Sequence, residues 1–427
     1  MKRNRAEPGA APPVDPPRSG ALSRRQLLAR SGLASAALLA TAGAVPAGAD
    51  ASGTSPGDLI PISFSGPHQA GIATPEQDRM VFAAYDVTAG DVSGLAALLA
   101  AWTDAAARMT AGQALTGPGG PFAPPADTGE ALDLPPSRLT ITVGFGPTLF
   151  DDRFGLRPSR PEALVDLPSF AVDDLGPART GGDLCVQACA DDAQVAFHAV
   201  RNLTRLALGS ATVRYVQLGF GRTASPGAGQ QTPRNLLGFR DGTDNLVAGD
   251  EGAMQRFVWV DRDSDQPWMV GGTYLVARRI RVHLEAWDRS TLGDQQETIG
   301  RVKASGAPLG GSRESDPVDL QALGPDGLPL IPDGAHIRQA APSTNDGEAI
   351  LRRGYSFADG VDPASGELDA GLFFICFQKD PRQQFIPIQQ RLSDQDALSE
   401  YVVHTGSGIF ACPPGTQDAQ GLGHGLV

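Results

Sequence analysis

The sequence predicts a mixed α+β protein made of two ferredoxin-like units with antiparallel sheets. The chain has 427 residues, 41% of them hydrophobic, which is enough for two domain-sized cores. Strand-like and helix-like patterns follow one another in a similar order in each half. The 52 glycines and 35 prolines favour a loop-rich fold over a helical bundle. Because one face of each sheet must be covered, we expect the two units to pack sheet to sheet.

The N-terminal unit is predicted to span residues 61–225. Cys185 and Cys189 are expected on a helix over 183–208, where a spacing of four residues places them on one face. We interpret both as buried small hydrophobic residues; the sequence does not decide whether they are oxidised. Hydrophobic periodicity predicts the following elements: strand 80–87, helix 91–109, strand 139–145, helix 190–208 and strand 213–220.

The C-terminal unit is predicted to span residues 226–427, after a break rich in glycine, proline and glutamine. A loop over 323–334 leads to His336. The two units agree in the order of their patterns, and no clean sequence repeat links them. The predicted elements of this half are strand 273–283, helix 290–299, strand 371–378 and a short helix over 395–403.

Residues 1–49 are interpreted as a targeting segment. A basic start leads to the pair Arg24-Arg25, followed by an apolar stretch over 33–45 and a small-residue cleavage site at 47–49. The arginine pair predicts export by the Tat translocase to the periplasm or the exterior; an ordinary Sec signal is the alternative. Residues 50–60 are expected to form a flexible linker. No segment offers 18 uninterrupted apolar residues, so no transmembrane span is predicted.

The charge balance limits the class of partner. The chain has 48 acidic and 35 basic residues, a formal net charge of -13. Because phosphate backbones need a basic surface, nucleic acid is excluded as the expected partner. Small neutral or cationic molecules are compatible with this charge. The sequence is also compatible with a homo-oligomer, but it does not determine the oligomeric state.

Three short stretches carry residues suited to chemistry on a bound iron. An acid, Asp241, lies between glycines in the run 238–245, and His336 lies in a loop over 334–342. The third stretch, 352–357, begins with two arginines. A haem iron needs a strong neutral nitrogen or sulfur donor, and His336 is our first candidate. The other histidines remain open on the residues alone; they are His68, His198, His283, His404 and His424.

Taken together, these stretches resemble the dye-decolourising peroxidases, in particular an exported branch that includes iron-uptake haem peroxidases. The resemblance rests on Gly-x-x-Asp-Gly at 238–242, on His336-Ile337-Arg338 and on the run 352–357. Further similar stretches at 64–72, 181–185 and 404–407 extend it over nearly the whole mature chain. It implies a dimeric α/β-barrel arrangement, haem b (iron protoporphyrin IX) as cofactor and hydrogen peroxide as substrate.

The resemblance also implies roles for individual residues. His336 would be the proximal iron ligand, with Asp396 accepting its second ring proton and Asp394 as the rival acceptor. On the distal side, Asp241 would shuttle the proton of the peroxide. Arg352 would stabilise the negative charge on the leaving oxygen, with Arg353 as its rival. Since a free aspartate has a pKa near 3.9, we expect an acidic optimum, on the order of pH 4–5.

Other residues are assigned by position only. Gly242, Thr243 and Asp244 are expected along the haem edge, and Asn245 and Phe374 on the distal side. Tyr355, three residues after Arg352, is the candidate relay for electrons from bulky donors that cannot reach the haem; ordinary core packing is the alternative for each aromatic residue.

Three functions remain in competition. The first is a secreted peroxidase that oxidises dye-like or phenolic donors. The second is the release of iron from haem during iron uptake. The third is a haem-binding carrier without turnover, which has no need of the acid–base pair formed by Asp241 and Arg352.

Overall fold

The computed structural model describes residues 60–117, 120–222, 232–417 and 421–427. The predicted targeting segment 1–49, and the linker 50–60 except for its last residue, lie outside the described residues. No helix in the described part of the chain is both long and apolar enough to cross a membrane.

The N-terminal half has the strand and helix order of a ferredoxin-like unit. Its four strands form an antiparallel sheet in the order β2-β3-β1-β4, with both helices on one face. The aspartates that precede the helices cap them with their side chains. The elements are β1 (Arg79–Val87), α1 (Val92–Thr110), β2 (Thr140–Phe145), β3 (Leu184–Ala190), α2 (Ala193–Leu206) and β4 (Ala211–Arg222).

The C-terminal half repeats this order with longer loops. Its sheet runs β7-β8-β5-β9, and the short strand β6 pairs with β8 beside β7. The strands are β5 (Thr273–Val282), β6 (Leu351–Arg352), β7 (Tyr355–Val361), β8 (Leu368–Gln378) and β9 (Val402–Cys412). The helices are α3 (Glu251–Phe257), α4 (Leu284–Trp287), α5 (Leu292–Ile299), α6 (His336–Ala340) and α7 (Phe385–Gln395), and a 3-10 turn covers Ala397–Glu400.

The two sheets close into one antiparallel barrel. β4 pairs with β7 through Phe220 and Ser356, and β2 pairs with β9 through Phe145 and Ala411. The predicted fold class, two ferredoxin-like units in a dimeric α/β-barrel arrangement, is therefore confirmed. Helices cover the outside of the barrel, and its interior is filled largely by aromatic side chains, which are Phe82, Tyr355, Phe357, Phe373, Phe377 and Phe410.

The helix predicted around Cys185 and Cys189 is wrong, because both lie on β3. Cys185 pairs with Ala84 and Cys189 with Met80. Every residue of β3 is buried, and a short, largely apolar run cannot be distinguished from a buried helix by periodicity. Four residues apart on a strand, the two cysteines are about 13 Å from each other, too far for a disulfide. Both are free and buried, as expected of small hydrophobic residues.

The short helix predicted over 395–403 is also wrong. α7 ends at Gln395, the 3-10 turn follows, and the chain then enters β9 at Val402. Gly406 and Gly408 interrupt the hydrophobic alternation of this strand. Gly406 leaves room for the carbonyl of Arg179, which would lie 2.6 Å from an added Cβ. This close contact requires a glycine at position 406. A glycine there breaks the alternation of hydrophobic residues by which the strand could have been predicted.

Gly371 on β8 provides a test of the barrel packing. A Cβ at this position would lie 2.0 Å from the carbonyl oxygen of Ile280 on the paired strand β5. We expect Gly371→Ala to lower the free energy of unfolding by about 2 kcal/mol or more, because backbone must move to admit the methyl group. Urea unfolding measures this. Gly249→Ala is the control, since a Cβ there meets nothing within 4 Å; equal stability of both variants would contradict the packing.

Candidate active site

Asp241 lies in the loop between β4 and α3, and its carboxylate is held in one orientation. One oxygen accepts hydrogen bonds from Nη1 of Arg352 at 3.2 Å and from the backbone N–H of Gly242 at 2.9 Å. The other accepts from the side-chain amide of Asn235 at 3.1 Å. The carboxylate is largely buried, with 17% of the side chain exposed. A carboxylate and a guanidinium are thus paired beside a solvent-accessible space.

Arg352 on β6 is tied to the same loop. Its Nη2 donates to the carbonyl oxygen of Thr243 at 2.8 Å. Its backbone N–H donates to Oδ1 of Asn245 at 2.9 Å, and Nδ2 of Asn245 donates to its carbonyl oxygen at 2.8 Å. The predicted distal residue Asn245 therefore acts on the backbone of Arg352, and fixes the strand to the loop that carries Asp241.

Arg353, the rival arginine, lies on the other side of the strand. It is fully buried and forms an ion pair with Glu76 at 3.9 Å. Its guanidinium also donates to the backbone carbonyl of Thr74 and to the side chain of Gln77. Because successive residues of a strand point to opposite faces, only Arg352 reaches Asp241.

Two residues that sequence reasoning missed brace the Asp241 loop. Glu314 accepts hydrogen bonds from Arg240 at 2.6 Å and from the hydroxyl of Thr243 at 3.0 Å. Arg301 donates to Asp244 at 2.8 Å. Burial opposes ionisation of Glu314, but these hydrogen bonds outweigh it and lower the pKa of its carboxyl. No local pattern marked Glu314 or Arg301, because each acts on residues about 60 to 70 positions away in the sequence.

His336 is the first residue of α6 and is oriented by Asp396. Its Nδ1 lies 2.5 Å from Oδ2 of Asp396, while the other carboxylate oxygen accepts the backbone N–H of Leu398 at 2.9 Å. Asp396 is nearly buried, whereas the side chain of His336 is 34% exposed. Asp394, the rival carboxylate, instead accepts from Gln390 at 3.0 Å.

This contact determines what the ring of His336 can offer. A carboxylate only accepts, so Nδ1 carries the proton and the lone pair of a neutral ring is on Nε2. Nε2 has no hydrogen-bond partner among the described residues. Burial lowers the pKa of His336, but the charge and hydrogen bond of Asp396, with a smaller effect from Asp241, raise it above its ordinary value.

Two neighbouring residues join the loop of Asp241 to the helix of His336. Arg301 donates to Asp244 at 2.8 Å, and Gly300 lies against Ala335 and Ile337, the chain neighbours of His336. The carboxylate, the guanidinium bonded to it and the imidazole therefore lie in one region of the molecule. Asp241 lies in the segment 232–250, Arg352 lies on β6, and His336 is the first residue of α6.

No group of three or more His, Cys, Asp or Glu side chains in the described ranges could hold a metal ion. Iron bound to His336 would therefore need a macrocycle for its remaining ligands. An iron porphyrin fits this donor set.

The remaining predicted residues differ in position. Phe374 lies two residues before Cys376, which pairs with Arg352, so Phe374 and Arg352 share a face of the sheet. Tyr355, the predicted relay, is fully buried in the barrel interior. A donor in solution cannot touch it.

Asp244, predicted at the haem edge, adopts a left-handed backbone conformation with φ of 57°. Its side chain is 69% exposed.

The chain is similar to known proteins of one family along both of its halves. Family models for the N-terminal and C-terminal parts of Dyp-type peroxidases match residues 69–221 and 232–417. A deferrochelatase of Escherichia coli O157:H7 is 40% identical over 418 residues, covering 95% of this chain and 97% of the relative. The corresponding protein of strain K12 is 41% identical over 409 residues, covering 93% and 95%.

Solved structures show the same similarity. DtpA from Streptomyces lividans, determined as an oxyferrous complex, superposes with a TM-score of 0.80 at 42% identity, covering 87% of this chain and all of that one. A DyP-type peroxidase from Cellulomonas bogoriensis has a TM-score of 0.78 at 39% identity, covering 87% and 99%. With both halves matched and about 40% identity along most of its length, this chain belongs to the Dyp-type peroxidases, a family of haem-dependent oxidoreductases.

Proposed function

We propose that this protein is an exported haem b peroxidase that uses hydrogen peroxide to oxidise small phenolic or dye-like aromatic donors. One observation carries the proposal. The ion pair between Asp241 and Arg352, at 3.2 Å, lies in a loop that Arg301 and Gly300 join to the helix of His336, and Nε2 of His336 would bind iron. A haem carrier without turnover would need no such pair.

Bound haem would supply the redox chemistry, and the side chains would supply binding and proton transfer. Nε2 of His336 would hold the iron, while Asp396 orients the ring and makes it a stronger donor. The carboxylate of Asp241 would take a proton from one oxygen of the peroxide and return it to the other. Arg352 stays cationic at any working pH and would stabilise the negative charge that forms as the O–O bond breaks. Each peroxide would thereby take up two electrons and two protons, which two phenolic donors can supply, and yield two waters.

Further parts of the proposal concern the haem edge, the domains and the route of export. Gly242, Thr243 and Asp244 would border the haem, because Thr243 contacts Arg352 through its carbonyl. Residues 61–225 and 226–427 would act as the two domains. Export by the Tat translocase, to the periplasm or the exterior, is supported by the arginine pair within residues 1–49.

Asp241→Asn and Arg352→Lys test the assignment of the distal pair. We expect both variants to bind haem normally, because neither residue contacts His336 directly. The rate of the absorbance change on adding stoichiometric peroxide should fall by about 100-fold or more in each, since the proton acceptor or the charge stabilisation is lost. Stopped-flow spectroscopy measures this rate.

Asp394→Asn is the matched control, because among the described residues that exposed carboxylate bonds only to Gln390 on α7. Its rate should equal that of the wild type. An Asp241→Asn variant that reacts with peroxide as fast as the wild type would contradict the proposed role of the carboxylate.

Iron release from haem is the second candidate function. The similarity to relatives named deferrochelatase favours it. One of them is 40% identical to this chain, and the alignment covers 95% of the chain. The distal residues do not separate the two functions, because an acid–base pair can serve either reaction.

Incubation with haem in the absence of peroxide separates the two functions. On the peroxidase proposal the haem stays intact, and no fluorescence of metal-free protoporphyrin develops over hours. Stoichiometric porphyrin release by the wild type, lost in His336→Ala, would instead establish the second function. Buffer with free haem is the control for spontaneous loss of iron.

A further inference from the structure

A second groove lies on the surface, apart from the site of Asp241, Arg352 and His336. It forms where the segment preceding β1 meets the residues after α3, and it has a volume of about 540 Å³. Small-molecule sites usually have a volume in this range. Its wall is built mainly by His68, Gln255, Trp259, Val260, Asp261 and Asp263.

His68 and Trp259 form a planar aromatic stack in the wall of this groove. Their ring centroids are 3.7 Å apart and the rings are inclined by 4°. Trp259 is 7% exposed and belongs to the buried cluster that contains Leu351, the residue next to Arg352. His68 is only half-buried. The stack therefore connects the groove with the packed interior behind the distal arginine.

The hydrogen bond of His68 determines the chemistry of its ring. Nδ1 lies 2.7 Å from the carbonyl oxygen of Gly271. A carbonyl only accepts, so Nδ1 is the donor and the lone pair of the neutral ring is on Nε2. Nε2 has no partner among the described residues. His68 thus offers a flat face and one hydrogen-bond acceptor to a molecule in the groove.

The charges around the groove favour a neutral ligand. Asp261 forms an ion pair with Lys379 and accepts from Gln255 at 2.5 Å. Asp263 and Arg262 add one charge of each sign. With a net charge of -13 for the chain, an anionic ligand has no favourable field here.

We propose that this groove binds a neutral phenol, whose hydroxyl donates to Nε2 of His68 in the plane of the imidazole ring. This inference rests on the proposed function, and it identifies the place at which the electron donor of the proposed peroxidase is oxidised. When the phenol gives one electron to the peroxide-oxidised enzyme through Trp259, its O–H bond breaks and the proton forms an N–H bond at Nε2. The phenol leaves as a neutral phenoxyl radical, and the enzyme is reduced by one electron.

Binding is tested without peroxide at about pH 7.5, where an ordinary histidine ring is neutral. The method is fluorine NMR of protein labelled with 5-fluorotryptophan and titrated with 2,6-dimethoxyphenol. The chain has four tryptophans, and Trp259→Phe assigns the signal of interest. We expect that signal alone to shift. His68→Phe keeps a ring beside Trp259 but removes both nitrogens, and should weaken binding about tenfold, the value of a hydrogen bond to a good acceptor. An unmoved Trp259 signal, or unchanged affinity in His68→Phe, would overturn the proposal.

Steady-state kinetics with two different donors is the second test. A purely structural role of His68 would not change the ratio of kcat/KM between them. In His68→Phe, kcat/KM for 2,6-dimethoxyphenol should fall about tenfold, whereas that for ferrocyanide, which gives up no proton, should stay unchanged. Gln390→Ala in a separate surface groove should alter neither value. Equal loss with both donors would overturn the proposal. Failure of the proposed function is distinguishable, because the wild type would then show no absorbance change with peroxide.

Discussion

The candidate site depends on the register of one two-residue strand. β6 pairs Leu351 with Phe377 and Arg352 with Cys376, and this pairing directs Arg352 toward Asp241 while the next residue, Arg353, enters the barrel. A slip by one residue would exchange the two guanidiniums. Arg353 opposes such a slip, because its buried charge needs Glu76 and the polar groups beside it. The interior ion pair of Arg353 thus stabilises the orientation of Arg352, the arginine to which we assign the distal role.

The opposite side of the site is held in a similar way, by hydrogen bonds that need no cofactor. The backbone N–H of Ala397 donates to the carbonyl of Gly334 at 2.8 Å, so the loop before α6 is joined to the 3-10 turn. Asp396 begins that turn, and its carboxylate both caps the turn and accepts from His336. The imidazole is therefore oriented before iron binds, which reduces the ordering that binding requires.

Much of the fold was predictable from the sequence, and less of the site. The strand β1 was found because it is a largely apolar run, which is a local property of the sequence, and β9 was missed because Gly406 and Gly408 interrupt its pattern. Asp241 and His336 stand in recognisable motifs. The choice between Arg352 and Arg353 depends on strand register, and Glu314 acts from 71 residues beyond Thr243 in the sequence. Neither the register of β6 nor the contact of Glu314 can be predicted from a local sequence pattern, since both depend on residues that are paired in the tertiary structure.

We propose that His336 would hold the iron of a haem on one side of the site, and that Asp241 and Arg352 would act from the other side. A crystal structure of the haem-loaded protein tests this most directly. We expect an iron bond to Nε2 of His336, with Nδ1 still bonded to Asp396 and the ion pair of Asp241 and Arg352 on the opposite face of the macrocycle. An iron ligand other than His336, or a distal face without the ion pair, would contradict it.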